Sequence, residues 1–437
     1  MTVTYDPHHP QYRDEADVRE ELSRAFDICH GCRLCLDLCP SFPTLFSYLD
    51  AVGEKGAGQF TPAQQDHVVE GCFQCNACSE KCPYNLPTHN QSLNFSQLML
   101  RHNAMRHENG QVGVRYRRTT RFLGSTQLVG RIATRISAVS QFVTRARPGS
   151  IVRTFTQMAT GVSSVRVLPF FAQQRFSSWF NARAHPQLAV EQGSIALFPT
   201  CLVEFSAPAI GHDLVKVYER NGVNCSLVEG AGCCGVPYLH SGDVETFGKV
   251  AAQQLRVLAR AVRSGRDIVV PQSVCGRVMR NEYLTHVGGD DAELVANHMF
   301  DSAEYLMKLH RAGDTALDTN FVGHVHETVA YDAGHDHTSQ NIPTSSEELI
   351  VLTGAGIEPI QLGSGLDSVW GFRSENNHHV DPLAARLIDV MDQVTSPTVV
   401  SDCHLTTMAI FEFTGRVAVH PMQIVARAYG IAEEPTP

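Results

Sequence analysis

The 437-residue chain is long enough for two or three domains, and its 43% hydrophobic and 18% charged residues suit ordinary buried cores. Its longest apolar runs are shorter than the roughly 18 residues of a membrane-spanning helix. The acidic N-terminus is unlike a signal peptide, so we expect a cytoplasmic protein. The 14 cysteines are clustered, which favours metal ligation over disulfides in such a chain.

Two cysteine runs lie within residues 1–110. Each has the pattern Cys-x2-Cys-x2-Cys-x3-Cys-Pro, in which the fourth cysteine is placed to bind the other of two [4Fe–4S] clusters. We predict that the first cluster is held by Cys29, Cys32, Cys35 and Cys82. We predict that the second is held by Cys39, Cys72, Cys75 and Cys78. Zinc is the alternative, but zinc sites usually pair two Cys-x2-Cys units.

The segments around these runs have helical character, over 15–27 and 41–71. They are similar to the helical ferredoxin domain of respiratory iron–sulfur subunits rather than to the small, β-rich ferredoxin. We therefore expect residues 1–110 to form an α-helical, ferredoxin-like domain with two [4Fe–4S] clusters.

Residues 111–190 are predicted to form an arginine-rich helical connector. Within 111–185 there are 12 arginines and no Lys, Asp or Glu, so this stretch carries +12 and the rest of the chain −22. Apolar residues recur there at helical spacing, from Leu128 to Val143. A basic amphipathic helix indicates docking on a membrane surface or a partner, and a solvated linker is the alternative. Nucleic acid is disfavoured because no nucleic-acid module accompanies the patch.

Residues 191–437 alternate between short apolar runs and helical segments, which predicts α/β structure with largely parallel sheets. The predicted strands are 194–198, 223–228, 267–270, 328–331, 357–361 and 398–401. The predicted helices include 208–220, 244–263, 293–310 and 381–394. The fold class is thus a multidomain α+β chain, helical first and α/β afterwards.

Three cysteine elements follow predicted strands in this half: Cys201, Cys233-Cys234-Gly235 and Cys275. Open α/β sheets bind their ligands at the carboxyl ends of strands. Here the sequence resembles the cysteine-rich CCG domain family of iron–sulfur oxidoreductases, which includes the heterodisulfide reductase B and D subunits and the C subunit of anaerobic glycerol-3-phosphate dehydrogenase. The spacings match, with 31 residues between Cys201 and Cys233 and 40 between Cys234 and Cys275.

The resemblance implies a third iron–sulfur cluster on Cys201, Cys233, Cys234 and Cys275. The family has a fifth cysteine three residues before the last, where this chain has Gln272. Four thiolates suffice for an ordinary [4Fe–4S] cluster but are fewer than the noncubane cluster of heterodisulfide reductase uses. Cys225 is another candidate, although its place within a strand favours a buried structural thiol.

A helical ferredoxin followed by two tandem CCG domains is the layout of the C subunit of the glycerol-3-phosphate enzyme, whose connector is associated with membrane docking. The resemblance therefore implies CCG domains at 191–315 and 316–437, the second degenerate. In this second domain, Gly334 stands at the position of the first family cysteine, and Val369-Trp370-Gly371 stands at the position of Cys-Cys-Gly. The final Cys-x2-Cys element keeps only Cys403, with Val400 at its first position.

Ligand-type side chains crowd the same places in this second repeat. We consider a zinc or non-haem iron site, because imidazole and carboxylate suit those metals. Its candidate ligands are His335, His337, Glu375, His378, Asp402, Cys403 and His404. A polar surface or small-ligand pocket is the alternative, and general acid–base chemistry by His335, His337 or His404 is a third reading.

The predicted function is an electron relay within an oxidoreductase complex. The chain has no G-x-G-x-x-G fingerprint, so a dinucleotide is expected on a partner, such as a flavin dehydrogenase. A membrane quinone would then be the other partner, with the chain peripheral on the inner membrane face. Two alternatives stay open: a catalytic CCG-type reductase of a disulfide or peroxide, and an electron donor to a di-iron, rubrerythrin-like protein.

Overall fold

The N-terminal region is helical, as its sequence predicts. The computed structural model describes residues 5–85, 92–184, 186–188, 190–312, 317–323, 327–334, 345–362, 365–366 and 368–432. The first helices are α1 (Glu15–Cys32), α2 (Ser41–Val52), α3 (Pro62–Glu70), α4 (Ala77–Lys81) and α5 (Phe95–Glu108), with 3₁₀ turns at Pro10–Arg13, Gly53–Lys55 and Ala57–Gln59. Apolar side chains from α1, α2 and α5 form its core, where the Phe42 and Phe95 rings stack with centroids 4.7 Å apart.

The connector is also helical, and it packs against the rest of the chain. Its helices are α6 (Val114–Gly124), α7 (Thr126–Arg135), α8 (Ser137–Thr144), α9 (Ile151–Thr160) and α10 (Phe176–Ala182). Two of its glycines permit close approach: a Cβ on Gly124 would lie 2.3 Å from the Tyr238 ring, and one on Gly130 would lie 2.5 Å from the Phe205 ring. The connector is therefore a packed layer rather than a solvated linker.

The first sheet has four parallel strands in the order β2-β1-β3-β4. Its strands are β1 (Gly193–Leu197), β2 (Val223–Leu227), β3 (Asp267–Val270) and β4 (Met299–Asp301). Its helices are α11 (Thr200–Phe205), α12 (Pro208–Arg220), α13 (Val236–His240), α14 (Val244–Arg263), α15 (Ser273–Arg277), α16 (Tyr283–His286), α17 (Asp290–Asn297) and α18 (Ser302–Arg311), with a π turn at Val278–Glu282.

One predicted helix was wrong. Residues 293–310 form the end of α17, strand β4 and most of α18, because Met299 pairs with Ile268 of β3. Asp301 then caps α18 in a capping box with Glu304, which fixes the new helix start. The sequence has helical periodicity on both sides of this three-residue strand, so the predicted helix continued through it.

The second sheet has the matching order β6-β5-β7-β8, also parallel. Its strands are β5 (Thr328–Asp332), β6 (Gly356–Ile360), β7 (Thr398–Ser401) and β8 (Ala418–Val419). Its described helices are α19 (Ser345–Leu352), α20 (Val380–Asp392), α21 (His404–Thr414) and α22 (Pro421–Ala428), with a 3₁₀ turn at Ser374–His379.

The second sheet and the N-terminal helices share one hydrophobic core. Phe42, Phe73 and Leu98 lie in the same buried cluster as Trp370 and Leu387. The cysteine-rich loops of the N-terminal region therefore lie against the second sheet. Among the described residues, no helix is long and apolar enough to cross a membrane.

Candidate iron–sulfur centres

The first predicted cluster site is a cavity lined by four cysteines. Cys29, Cys32, Cys35 and Cys82 line this cavity, together with apolar neighbours that include Phe42, Phe46 and Leu93. Burial raises the pKa of the Cys35 thiol to about 12, and the nearby sulfurs of Cys82 and Cys32 contribute to this rise. Thiols bind iron as thiolates, so loading this site would release protons. The donor set and the apolar lining fit a [4Fe–4S] cluster.

The second predicted site gathers the remaining cysteines of the two runs. Burial raises the pKa of the Cys78 thiol well above its usual value, and the neighbouring sulfurs that add to this effect include Cys75, Cys72 and Cys39. Gly71 lets the two runs meet, because a Cβ there would lie 2.6 Å from the Ser41 backbone nitrogen. The fourth cysteine of each run therefore lies beside the first three of the other.

The backbone between these cysteines adopts the left-handed conformation at residues that are not glycine. Gln74 has φ 62° and Asn76 has φ 63°, between the cysteines of the second run, and Arg33 has φ 55° in the first. Such turns cost roughly 1–2 kcal/mol each for ordinary residues. A left-handed residue next to a right-handed one is the backbone arrangement in which successive N–H groups can bind an anion, and this suits an anionic cluster.

The cysteines of the first sheet meet at the carboxyl ends of its strands. Cys201 lies in α11 after β1, Cys233 and Cys234 precede α13 after β2, and Cys275 lies in α15 after β3. The sulfurs of Cys234 and Cys275 are 3.1 Å apart. Burial raises the pKa of the Cys201 thiol to about 12, the Cys233 sulfur contributes to this rise, and the Thr126 hydroxyl of the connector opposes it. Four thiols at one sheet edge fit an iron–sulfur cluster.

Gly235 explains the third position of the Cys-Cys-Gly element. Its φ is +92°, and a Cβ there would lie 2.8 Å from the Phe247 ring, so only glycine fits both the turn and the packing. Its N–H donates to the Cys233 sulfur at 3.4 Å, and Tyr283 donates to the Cys234 carbonyl oxygen at 2.9 Å. The turn thus holds the two adjacent thiols in place.

Cys225 lies apart from this group. It is buried in β2 within the core that contains Val217 and Val269, whereas Cys234 and Cys275 belong to the other core of this sheet. Burial raises the pKa of its thiol. This placement agrees with the expected structural role.

Gln272 and Cys403 are in contact across the two sheets. The Gln272 amide nitrogen donates to the Cys403 sulfur at 3.0 Å, and the His404 backbone N–H donates to the Gln272 amide oxygen at 3.2 Å. Val400, which the family resemblance aligns with a cysteine, is instead inside β7 and pairs with Tyr331. Cys403 therefore faces the cysteine group of the first sheet.

The other residues predicted as metal ligands in the second repeat are dispersed. Asp402 is buried and accepts hydrogen bonds from Tyr331 at 2.5 Å and Ser346 at 2.7 Å. Burial lowers the pKa of His404 to about 4, and its ring contacts the Thr407 hydroxyl at 3.1 Å. His335 and His337 lie outside the described residues.

Glu375 and His378 are exposed and lie in the 3₁₀ turn that precedes α20, with the His378 ring nitrogen 3.1 Å from the Glu375 carbonyl oxygen. In the described part of the chain, no three or more His, Cys, Asp or Glu side chains converge as they would around a single metal ion. A four-iron cluster spreads its ligands more widely, because each thiolate binds a different iron. The described members of the predicted set therefore do not form a mononuclear site.

Val369 and Trp370 join two of the cysteine groups. Trp370 lies 5.8 Å from Phe73, centroid to centroid, and its indole N–H donates to the Glu70 carbonyl oxygen at 2.9 Å. Phe73 directly follows Cys72. Val369, one residue earlier than Trp370, packs against the core that contains Cys234 and Cys275.

An open cleft borders this junction. It is lined by Cys72, by Tyr116 and Arg115 of the connector, by His240, and by Trp370, Arg373, Glu375 and His378 of the second sheet region. Burial lowers the pKa of His240 to about 3, and the positive charge of Arg277 contributes. The cleft therefore brings residues from all four segments of the chain (1–110, 111–190, 191–315 and 316–437) around one cysteine of the second predicted cluster.

Sequence reasoning missed several of these residues. Thr126, Gly71 and Trp370 act through contacts between distant segments, which residue spacing does not reveal. Gly71 carried a signal that could have been used, because glycine directly before a cysteine run suggests close backbone approach.

Comparisons with known proteins agree with the two cysteine-rich regions. A 4Fe-4S dicluster domain model matches residues 28–87, and a cysteine-rich domain model (CCG) matches residues 195–280. The C subunit of the anaerobic glycerol-3-phosphate dehydrogenase of Escherichia coli K12 is 25% identical over 317 residues, which cover 70% of this chain and 76% of that protein.

Lactate utilization proteins match a shorter part. Lactate utilization protein A of Shouchella clausii is 29% identical over 126 residues, 28% of this chain and 51% of that protein. Lactate utilization protein A 1 of Bacillus anthracis is 30% identical over 128 residues, 29% of this chain and 47% of that protein. The chain is thus an iron–sulfur protein with a 4Fe-4S dicluster domain and a cysteine-rich CCG domain, homologous to the C subunit of anaerobic glycerol-3-phosphate dehydrogenase and to lactate utilization protein A.

Proposed function

We propose that this chain relays electrons between a partner redox protein and a third iron–sulfur cluster held by Cys201, Cys233, Cys234 and Cys275. The observation that carries this proposal is the junction at Val369 and Trp370. These adjacent residues contact the loop of the second dicluster site on one side and the core of the third site on the other. A packed contact of this kind keeps the two sites close together, and a short separation favours electron transfer between them.

The second sheet brings the sites together in this proposal. A Cβ on Gly365 would lie 2.4 Å from the Phe73 ring, so the loop before Trp370 packs tightly on the dicluster loop. Arg386 of α20 is close enough to Cys39 for its charge to oppose the effect of burial, which raises the pKa of that thiol. The repeat that lacks its own thiolate set would thus serve as the spacer between clusters.

The matching strand order of the two sheets supports a tandem-repeat layout. We infer CCG-type domains at 191–315 and 316–437, after a ferredoxin-like domain at 1–110 and a connector at 111–190. The second domain retains the fold while Trp370 and Gly334 occupy cysteine positions.

The partner is inferred from the relative's name, which makes it a subunit of a dehydrogenase. A flavin dehydrogenase subunit would donate electrons, and a quinone or other small acceptor would receive them. We place the acceptor in the cleft beside Cys72 and Trp370, because a molecule bound there would contact the relay directly. The Arg115 and Arg373 side chains would favour an acceptor that becomes negative on reduction.

Iron, sulfide and zinc analysis with EPR on the anaerobically purified chain tests the proposal. We expect about 12 iron and 12 sulfide per chain, since three four-iron clusters are proposed. Cys275→Ser should lower both by about a third and remove one EPR signal, because it removes one of the four thiolates of the third site. Cys225→Ser is the matched control, and it should retain all three signals.

About 8 iron and 8 sulfide in the unaltered chain would contradict the third cluster and the relay. Zinc without sulfide would contradict the dicluster site as well. Rapid disulfide or peroxide turnover by the isolated chain would favour the reductase alternative instead.

A further inference from the structure

We propose that Cys403, on the second sheet, supplies a fifth thiolate to the iron–sulfur site of Cys201, Cys233, Cys234 and Cys275, so that one iron of this cluster would bind two thiolates, and that Gln272 holds Cys403 there. This inference rests on the proposed third cluster and adds a ligand from a different domain. It also replaces the assignment of Cys403 to a histidine-rich metal site.

Cys403 and Gln272 occupy the same place in their two sheets. Each lies two residues beyond the last residue of the third strand and immediately before the next helix. Their backbones agree, with φ −138° and ψ 112° at Gln272 and φ −112° and ψ 112° at Cys403. Gln272 stands where the resemblance calls for a fifth cysteine. The thiol missing from the first sheet is therefore present at the corresponding position of the second.

The hydrogen bonds of Gln272 fix its orientation. The His404 N–H is a donor, so it must face the amide oxygen, and the amide NH₂ must then face the Cys403 sulfur. A thiol is a weak acceptor, whereas a thiolate accepts strongly. The buried amide is thus arranged to stabilise a sulfur that carries negative charge, as a thiolate bound to iron does.

The Cys403 sulfur is also close to the other thiols. Its hydrogen-bond partner Gln272 precedes Cys275 by only three residues, and the Cys275 sulfur is 3.1 Å from that of Cys234. Cys403 is 8% exposed and Cys275 is 6% exposed. Five sulfurs from two sheets therefore face one buried region.

A purely structural thiol is the competing interpretation. Such a thiol needs only apolar neighbours. Cys403 instead contacts a polar amide that is 1% exposed, in a pair that links the two sheets. Binding would exchange the S–H bond for an S–Fe bond and release one proton, with no change in oxidation state.

The test compares EPR and Mössbauer spectra of anaerobically purified full-length variants. Cys275→Ser first identifies the signal of the third cluster. Cys403→Ala should then shift or abolish that same signal, and Cys225→Ala, the removal of a buried thiol elsewhere in the first domain, should not. Cys403→Ser keeps the side-chain size if the alanine variant fails to fold, and the same change of signal is expected from it.

A rescue variant separates ligation from packing. Gln272→Cys in the Cys403→Ala background returns a thiol to the first sheet, and we expect it to restore the third signal toward its original form. If Cys403→Ala and Cys403→Ser match the unaltered spectrum while Cys275→Ser loses the signal, Cys403 is not a ligand and the relay still stands. If Cys275→Ser also leaves the spectra unchanged, both the proposed third cluster and the proposed fifth ligand are contradicted.

Discussion

Trp370 lies in contact with the loop of the second predicted cluster site. The resemblance calls for a cysteine where Trp370 stands, and the indole fills the contact with Phe73 that links two predicted cluster sites. Its N–H is bonded to the Glu70 carbonyl oxygen, so the ring is held by a hydrogen bond as well as by packing. The proposed relay therefore depends on a side chain that is not a cluster ligand.

Replacing Trp370 with leucine should slow reduction of the third cluster several-fold without lowering the iron content, because the aromatic contact is lost but no ligand is. Stopped-flow mixing with a low-potential reductant, followed by freeze-quench EPR, measures this rate. Trp179→Leu is the matched control, since Trp179 is the only other tryptophan and lies in α10 against His212. Equal rates of third-cluster reduction in both variants would show that Trp370 does not contribute to electron transfer to that cluster.

Sequence reasoning applies best to residues whose roles depend on local spacing. The dicluster cysteines and the Cys-Cys-Gly element are short patterns of this kind, and their assignment as cluster ligands stays a prediction. The contact between Gln272 and Cys403 could not be predicted, because it depends on how the two sheets pack. It also depends on the alignment of the two repeats, since the structure matches Cys403 with Gln272 and not with Cys275, three residues later. Strand β4 was missed because its three residues lie between two helices.

The connector is one of the elements that hold the second sheet against the rest of the chain. Arg166 is 1% exposed and forms a buried ion pair with Glu412 of α21 at 3.0 Å. It also donates to the carbonyl oxygens of Gly371 and Leu366, each at 3.0 Å. Those carbonyls flank Trp370, so this arginine positions the loop that joins the cluster sites.

Arg166→Met should destabilise the chain by about 3–5 kcal/mol, because Glu412 would be left buried without its partner. Adding Glu412→Leu should recover part of that loss, since the carboxylate would no longer be buried without Arg166, although Arg153 would lose the charge of Glu412. Anaerobic urea unfolding measures both changes. The exposed pair Lys249–Glu245 is the control, where Lys249→Met should cost less than about 1 kcal/mol. A loss that is no larger for Arg166→Met than for this control would contradict the anchoring role.

At the scale of the whole molecule, the connector has an outer face that the described residues of the other domains do not cover. Leu128, Ile132 and Phe142 are half-exposed or more, as are Phe155 and Met158 of α9. Exposed arginines lie among them, at Arg131, Arg135, Arg145 and Arg147. Apolar side chains interspersed with cationic ones are typical of a helix that lies in the interface of an anionic bilayer. We propose that this face docks on the membrane, where a quinone acceptor would be found.

The chain should therefore co-sediment with vesicles that contain phosphatidylglycerol, and much less with vesicles of phosphatidylcholine alone, since each arginine near an anionic surface contributes about 1 kcal/mol. Phe142→Glu with Phe155→Glu should weaken binding by at least tenfold, because each buried aromatic side chain contributes about 1.5–3 kcal/mol. Val417→Glu, at an exposed apolar residue outside the connector, is the control and should bind like the unaltered chain. Membrane docking is contradicted if vesicle binding does not depend on lipid charge, or if all variants bind vesicles equally. The arginine-rich face would then bind a protein partner, and the quinone would have to reach the relay by another route.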